Sequence, residues 1–118
     1  MGADQTRMEE MKTEGLTQKP AQLKDWADYQ VGSIVSRKII QKETGTVTFF
    51  AFDQGQELST HSAPYDALVQ VVDGEAEIWI EDRPHQLCAG QILMLPANRP
   101  HAVKATKQFK MLLVMIRS

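Results

Sequence analysis

From Ser33 to Ile116 the chain is a succession of short apolar segments cut off by glycine, proline or acidic turn residues, with no sustained helical spacing of apolar groups. That texture constrains the fold more than any other feature. Many short strands at close spacing make an all-β sandwich or barrel. SIVSRKIIQ, the turn signal KETG and TVTFFAF read as a first hairpin, closed by the turn DQGQ. Val47, Phe49 and Ala51 alternate there with Thr46, Thr48 and Phe50. One face goes to the core, and the other stays partly apolar, as when a second sheet or a subunit covers it. DALVQVV and EAEIWIE flank Asp73 and Gly74 and read as a second hairpin, because Asp-Gly is a strong two-residue turn signal. Glu75 and Glu77 give that second strand a wet face against Ala76, Ile78 and Ile80. RPHQLCAG, QILMLPA and HAVKATKQFKMLLVMIRS supply further strands broken by Gly90, Pro96 and Pro100.

Ahead of the strands, residues 1–22 read as a polar arm, disordered or weakly helical, and residues 23–118 as a single domain. Leu23, Trp26 and Tyr29 stand three apart, which suggests a helical turn or irregular segment laid on the barrel with Trp26 as its anchor. A chain of 118 residues with 42% hydrophobic content buries a core without staples. The net charge is -2, and the 13 Lys and Arg are scattered, so there is no basic footprint for nucleic acid. Cys88 is the only cysteine, which fits a reducing compartment, and the polar, acidic start is unlike a secretory signal, so a cytoplasmic location is expected. The longest apolar run, Met111 to Ile116, is far short of the roughly 20 residues that span a bilayer.

Two segments carry a spacing of their own: Gly55 to Gly74, GQELSTHSAPYDALVQVVDG, and Gly90 to His101, GQILMLPANRPH. They resemble the paired motifs of the cupin superfamily, with Gly55, His61, Gly74, Gly90, Pro96 and His101 at the family positions. Ala63 stands where the family has its second His, Ala67 (or Leu68, with the longer spacer) where it has Glu, Asn98 where it has Gly, and Ala105 where it has Asn. Two of the family's four metal ligands remain. The phrases FAFDQGQELSTHSAPYDALVQVVDGEAEI, PANRPHAVKA and KMLLVMI resemble small single-domain cupins of the conserved-barrel type. The resemblance spans roughly Ser33 to Ile116 and implies a double-stranded β-helix, an RmlC-like jelly roll, with both motifs facing one cavity.

It also implies a site at His61 and His101. Two neutral imidazoles can hold a divalent Zn, Fe, Ni, Cu or Mn ion, with water or substrate in the other positions. Structural zinc takes four protein ligands and catalytic zinc three, so a pair binds loosely unless another group joins. Asp66 is one candidate, but it lies one residue before the family's carboxylate, and such a shift turns a strand side chain to the opposite face unless a bulge corrects it. Gln70 has the wrong parity relative to Ala67, and Cys88 and Met94 would be soft donors. Phe50, Phe52, Val69, Val71, Trp79, Ile92, Met94 and Met111 are available as apolar walls of a small-molecule pocket. Tyr65 and Asp66 either gate its mouth, act as acid and base, or simply close a turn, and His85 belongs to the surface.

Asn98 tolerates the left-handed backbone that the replaced glycine would adopt, so the turn survives. Two functional classes stay open: a metal-dependent enzyme of unassigned reaction, and a metal-free small-molecule binder or sensor in which Ala63 and Ala67 make room for a ligand. The resemblance further implies a homodimer, with the outer face around Val47 and Phe50 and the strand KMLLVMI as its interface.

Overall fold

Backbone pairing turns the apolar segments into eight strands, β1 (Ile34–Lys42), β2 (Gly45–Phe52), β3 (Glu57–His61), β4 (Asp66–Ile80), β5 (Arg83–Cys88), β6 (Ile92–Leu95), β7 (His101–Lys104) and β8 (Phe109–Ile116). The computed structural model describes residues 19–117, so the arm expected over 1–22 lies, up to residue 18, outside the described residues. Among the described residues the one helical element is a 3-10 turn, Leu23–Asp25. All strand pairs are antiparallel, and the chain curls into two facing sheets, β1-β2-β8-β4-β6 and β5-β4-β7-β3. This is the jelly-roll barrel that the cupin resemblance implies.

Strand β4 belongs to both sheets. The hairpin expected at Asp73 and Gly74 does not form. The strand runs through without turning, and its pairing with β8 is interrupted by a bulge between Val71 and Asp73. Gly74 has φ 74°, and a Cβ there would lie 2.1 Å from the Gln108 carbonyl oxygen, so glycine is needed for close backbone approach rather than for a hairpin. The bulge also flips parity. Ala67, Val69 and Val71 point inward before it, and Ala76 and Ile78 after it. The real two-residue turn is Glu81 and Asp82, between Ile80 and Arg83, with Glu81 at φ 56°.

Inside the barrel, Phe52 and Phe109 stack with ring centroids 4.6 Å apart, packed with Val71, Ala76, Ile78 and Leu87. Burial of each such large side chain contributes about 1.5–3 kcal/mol. The other face of β2 is apolar for a different reason. Phe49 and Ala51 are fully buried on the outside of the barrel against Trp26, Ala27 and Val35. Trp26 is the expected anchor, 6% exposed. The face of β2 that carries Phe49 and Ala51 is therefore an outer core, while Phe50 and Phe52 face inward.

A polar network fastens that N-terminal segment. The buried Lys110 ammonium donates to the Lys24 carbonyl at 2.6 Å and lies 4.9 Å above the Tyr29 ring. The Tyr29 hydroxyl donates to the Asp73 carboxylate at 2.5 Å. Burial, then the hydrogen bond and the charge of Asp73, push the Tyr29 hydroxyl well above its ordinary range, so it stays a donor.

Beyond the segment's reach the outer face is bare. Ile40, Val47, Val114, Leu68 and Met94 fall in register across β1, β2, β8, β4 and β6. Ile40, Leu68 and Met94 are exposed, as are Ile92 and Ile116 nearby.

Candidate functional site

His61 and His101 are direct cross-strand partners on β3 and β7, with a register irregularity between Leu58 and His61. Two loops position them. The Asn98 N–H donates to the Ala63 carbonyl at 2.7 Å, and the Ala97 N–H donates to the Asp66 carboxylate at 2.9 Å. The segment before His101 is thus stapled to the segment after His61. Asn98 adopts φ 66°, the left-handed position it was expected to tolerate. The two rings meet edge to face, with centroids 4.4 Å apart and planes at 69°.

Each ring is oriented by its own strand. His61 Nδ1 lies 2.9 Å from the Ser59 carbonyl, and His101 Nδ1 lies 3.2 Å from the Arg99 carbonyl. A carbonyl oxygen only accepts, so the bond requires the proton on Nδ1 and leaves the Nε2 lone pair bare in the neutral ring. Metal-ligating histidines use the same arrangement to fix tautomer and orientation. Burial, and then the neighbouring His61, lower the His101 pKa below its ordinary 6.5 against the opposing bond to Arg99. His101 therefore keeps its lone pair to more acidic pH than a free imidazole.

The pair stands on the wall of a cavity of about 130 Å³ between the sheets, otherwise lined by Phe50, Leu58, Ala63, Tyr65, Ala67, Val69, Leu95, Val103, Met111, Leu113 and Met115. Phe50, Val69 and Met111 are walls, as expected. Phe52 and Val71 are core beyond the cavity lining. Trp79, Ile92 and Met94 are elsewhere. Parity after the bulge puts Trp79 outside, its N–H donating to the Glu77 carboxylate at 2.5 Å, while Ile92 and Met94 are 61% and 52% exposed. Leu58, Leu95, Val103, Leu113 and Met115 complete the wall beyond the residues read from the sequence: β6 and β8 give little alternation to read, the irregularity between Leu58 and His61 hides the parity of Leu58, and Val103 shares a face with His101 on β7.

None of the candidate extra ligands from the sequence faces the cavity. Asp66 is exposed, and its carboxylate is engaged by Ala97, as its strand parity indicated. Gln70 pairs with Leu112 and Ile92 on the outer face, Cys88 is exposed, and Met94 is on the outer row. Among the described residues there is no group of three or more His, Cys, Asp and Glu able to hold a metal. Tyr65 lines the cavity with the Arg117 guanidinium 5.2 Å from its ring. His85 is half-buried rather than superficial, its Nδ1 3.3 Å from the Ile78 carbonyl.

A curled antiparallel sheet of this order, with paired histidines at one end, defines a jelly-roll barrel. Residues 48–117 match the cupin domain family, and the chain belongs to it. A conserved protein of unknown function from Streptococcus pyogenes is 35% identical at TM-score 0.82, with 85% of this chain and 88% of that one covered. A cupin 2 conserved barrel domain protein from Leptotrichia buccalis is 41% identical at TM-score 0.78, over 80% of this chain and 46% of that one. A cupin superfamily protein from Desulfitobacterium hafniense is 26% identical at TM-score 0.81, over 85% and 92% of the two chains. No curated protein matches. No helix among the described residues is long and apolar enough to cross a membrane.

Proposed function

We propose that this cupin binds a small, largely apolar molecule in the barrel mouth, beside a metal ion held by the Nε2 atoms of His61 and His101. The observation that carries the reading is the orientation of both rings, each with Nδ1 on a backbone carbonyl and Nε2 left bare at the wall of an apolar pocket. The donor set fits a metal ion held through two nitrogens. It does not fit the four-ligand family site, because Ala63 and Ala67 offer no donor. An ion held there would supply Lewis-acid or oxygen-activating chemistry. The residues of this chain orient the ring nitrogens and shield the pocket from water.

Equilibrium dialysis of the chelator-stripped protein against Zn²⁺ tests the reading. Near-stoichiometric uptake is expected, weakened by more than about tenfold in His61→Ala and in His101→Ala. Uptake that is absent, or unchanged in both variants, overturns it. With no group of three His, Cys, Asp or Glu among the described residues, a second reading is a metal-free binder or sensor in which Ala63 and Ala67 enlarge the ligand space. That reading requires ligand binding to survive metal stripping.

The same proposal includes a homodimer in the cytoplasm. Supporting it is the outer row Ile40, Val47, Val114, Leu68 and Met94, although Phe50 faces the pocket and takes no part. A contiguous apolar row of this kind on a solvent face is suited to a self-complementary contact. Light scattering should give twice the chain mass, reverting to one chain mass in Leu68→Glu. A monomeric wild type would remove the dimer.

A further inference from the structure

We infer that the ion this pocket selects is monovalent copper, with the thioether of Met115 joining the two imidazole nitrogens as a third donor. The inference rests on the two-imidazole reading above and names the ion. The pocket wall offers no carboxylate: Asp66 is turned outward to the Ala97 N–H, and Ala67 stands at the carboxylate position. Imidazole and thioether are both neutral donors, and the remaining wall is apolar. The desolvation penalty of an ion grows with the square of its charge, so a neutral donor set in an apolar cavity favours a single charge over a double one.

Softness points the same way. Thioether donors select Cu(I) among the biological metals, whereas magnesium, calcium and manganese seek oxygen. Met115 is the direct cross-strand partner of Ala67 on β8, so the two side chains stand together on the inner face. Ala67 is small, which leaves space beside it, and methionine has three rotatable bonds with which to move its sulfur into that space. Met111 also lines the cavity, four residues further along β8 opposite Val71, where it is 2% exposed and packed into the core. His61, His101 and Met115 line one cavity of about 130 Å³, so all three donors open onto the same space.

The test is anaerobic Cu(I) competition with a chromogenic chelator on the stripped full-length protein, with Zn²⁺ affinity measured in parallel and X-ray absorption on the copper-loaded wild type. One Cu(I) per chain with sulfur in its scattering shell is expected. Met115→Leu conserves volume. It should weaken Cu(I) by about tenfold or more and lose the sulfur signal. Copper bound without sulfur scattering, or unaffected by Met115→Leu, overturns the inference. Wild-type protein that takes up Zn²⁺ but not Cu(I) overturns it too and leaves the two-imidazole site standing. Protein that takes up neither ion ends both.

Discussion

At one end of the barrel Phe52 and Phe109 stack over Ile78 and Leu87 and fill the space between the sheets; at the other, Ala63 and Ala67 stand between Phe50, Tyr65 and the paired histidines and leave a cavity. The same long strand, β4, serves both ends, since it contributes Ala67 and Val69 to the mouth and Ala76 and Ile78 to the filled half. Its pairing with β8 is broken by the bulge between Val71 and Asp73, which lies between the two ends and keeps small or apolar side chains inward on both sides. Across that bulge, side-chain volume distinguishes the filled half from the half that holds a cavity. The polar atoms follow the same division. His61 and His101 sit at the mouth, and no buried polar side chain belongs to the filled cluster among the described residues.

Two substitutions should break this contrast in opposite ways. Phe109→Ala at the filled end removes a fully buried stacked ring and should lower unfolding free energy by about 3–5 kcal/mol, read by denaturant titration. Ala67→Leu fills the mouth instead. It should change stability by less than about 1 kcal/mol while abolishing metal uptake in equilibrium dialysis. A large destabilisation by Ala67→Leu, or retained uptake, would mean that the mouth is packed core like the other end.

The sequence announced the barrel but not the path of its longest strand. Asp73-Gly74 has the local chemistry of a hairpin turn, and a positive φ at Gly74 serves a turn and a bulge equally. Only the long-range approach of Gly74 to Gln108 and Phe109 decides between them, and no local window contains it. Trp79, offered as a pocket wall, has the parity of Glu75 and Glu77 on the wet face, and the structure keeps it there beside Glu77. The first hairpin, β1 to β2, was legible because its turn and its alternation lie within one short segment. At the site, motif spacing located His61 and His101, and strand parity alone turned Asp66 away from the pocket. Met115 escaped notice because KMLLVMI is apolar throughout, so nothing in it distinguishes the inner Met111, Leu113 and Met115 from the outer Leu112 and Val114.

The mouth presents two imidazoles, each with Nδ1 on a backbone carbonyl and Nε2 left bare in the neutral ring. Long-range ¹H–¹⁵N spectra of the histidine side chains, recorded on metal-free protein across a pH series, test it directly. Both His61 and His101 should carry their proton on Nδ1 when neutral, and His101 should titrate below 6.5. The sign is fixed by burial. The unfolded chain binds a proton near 6.5 that folded His101 does not yet accept, so its stability contribution is complete above that pH and declines as pH falls. His61→Ala should move the His101 midpoint upward without restoring it fully, since burial remains. An Nε2-protonated tautomer at either residue, or a His101 midpoint above 6.5, would contradict the account.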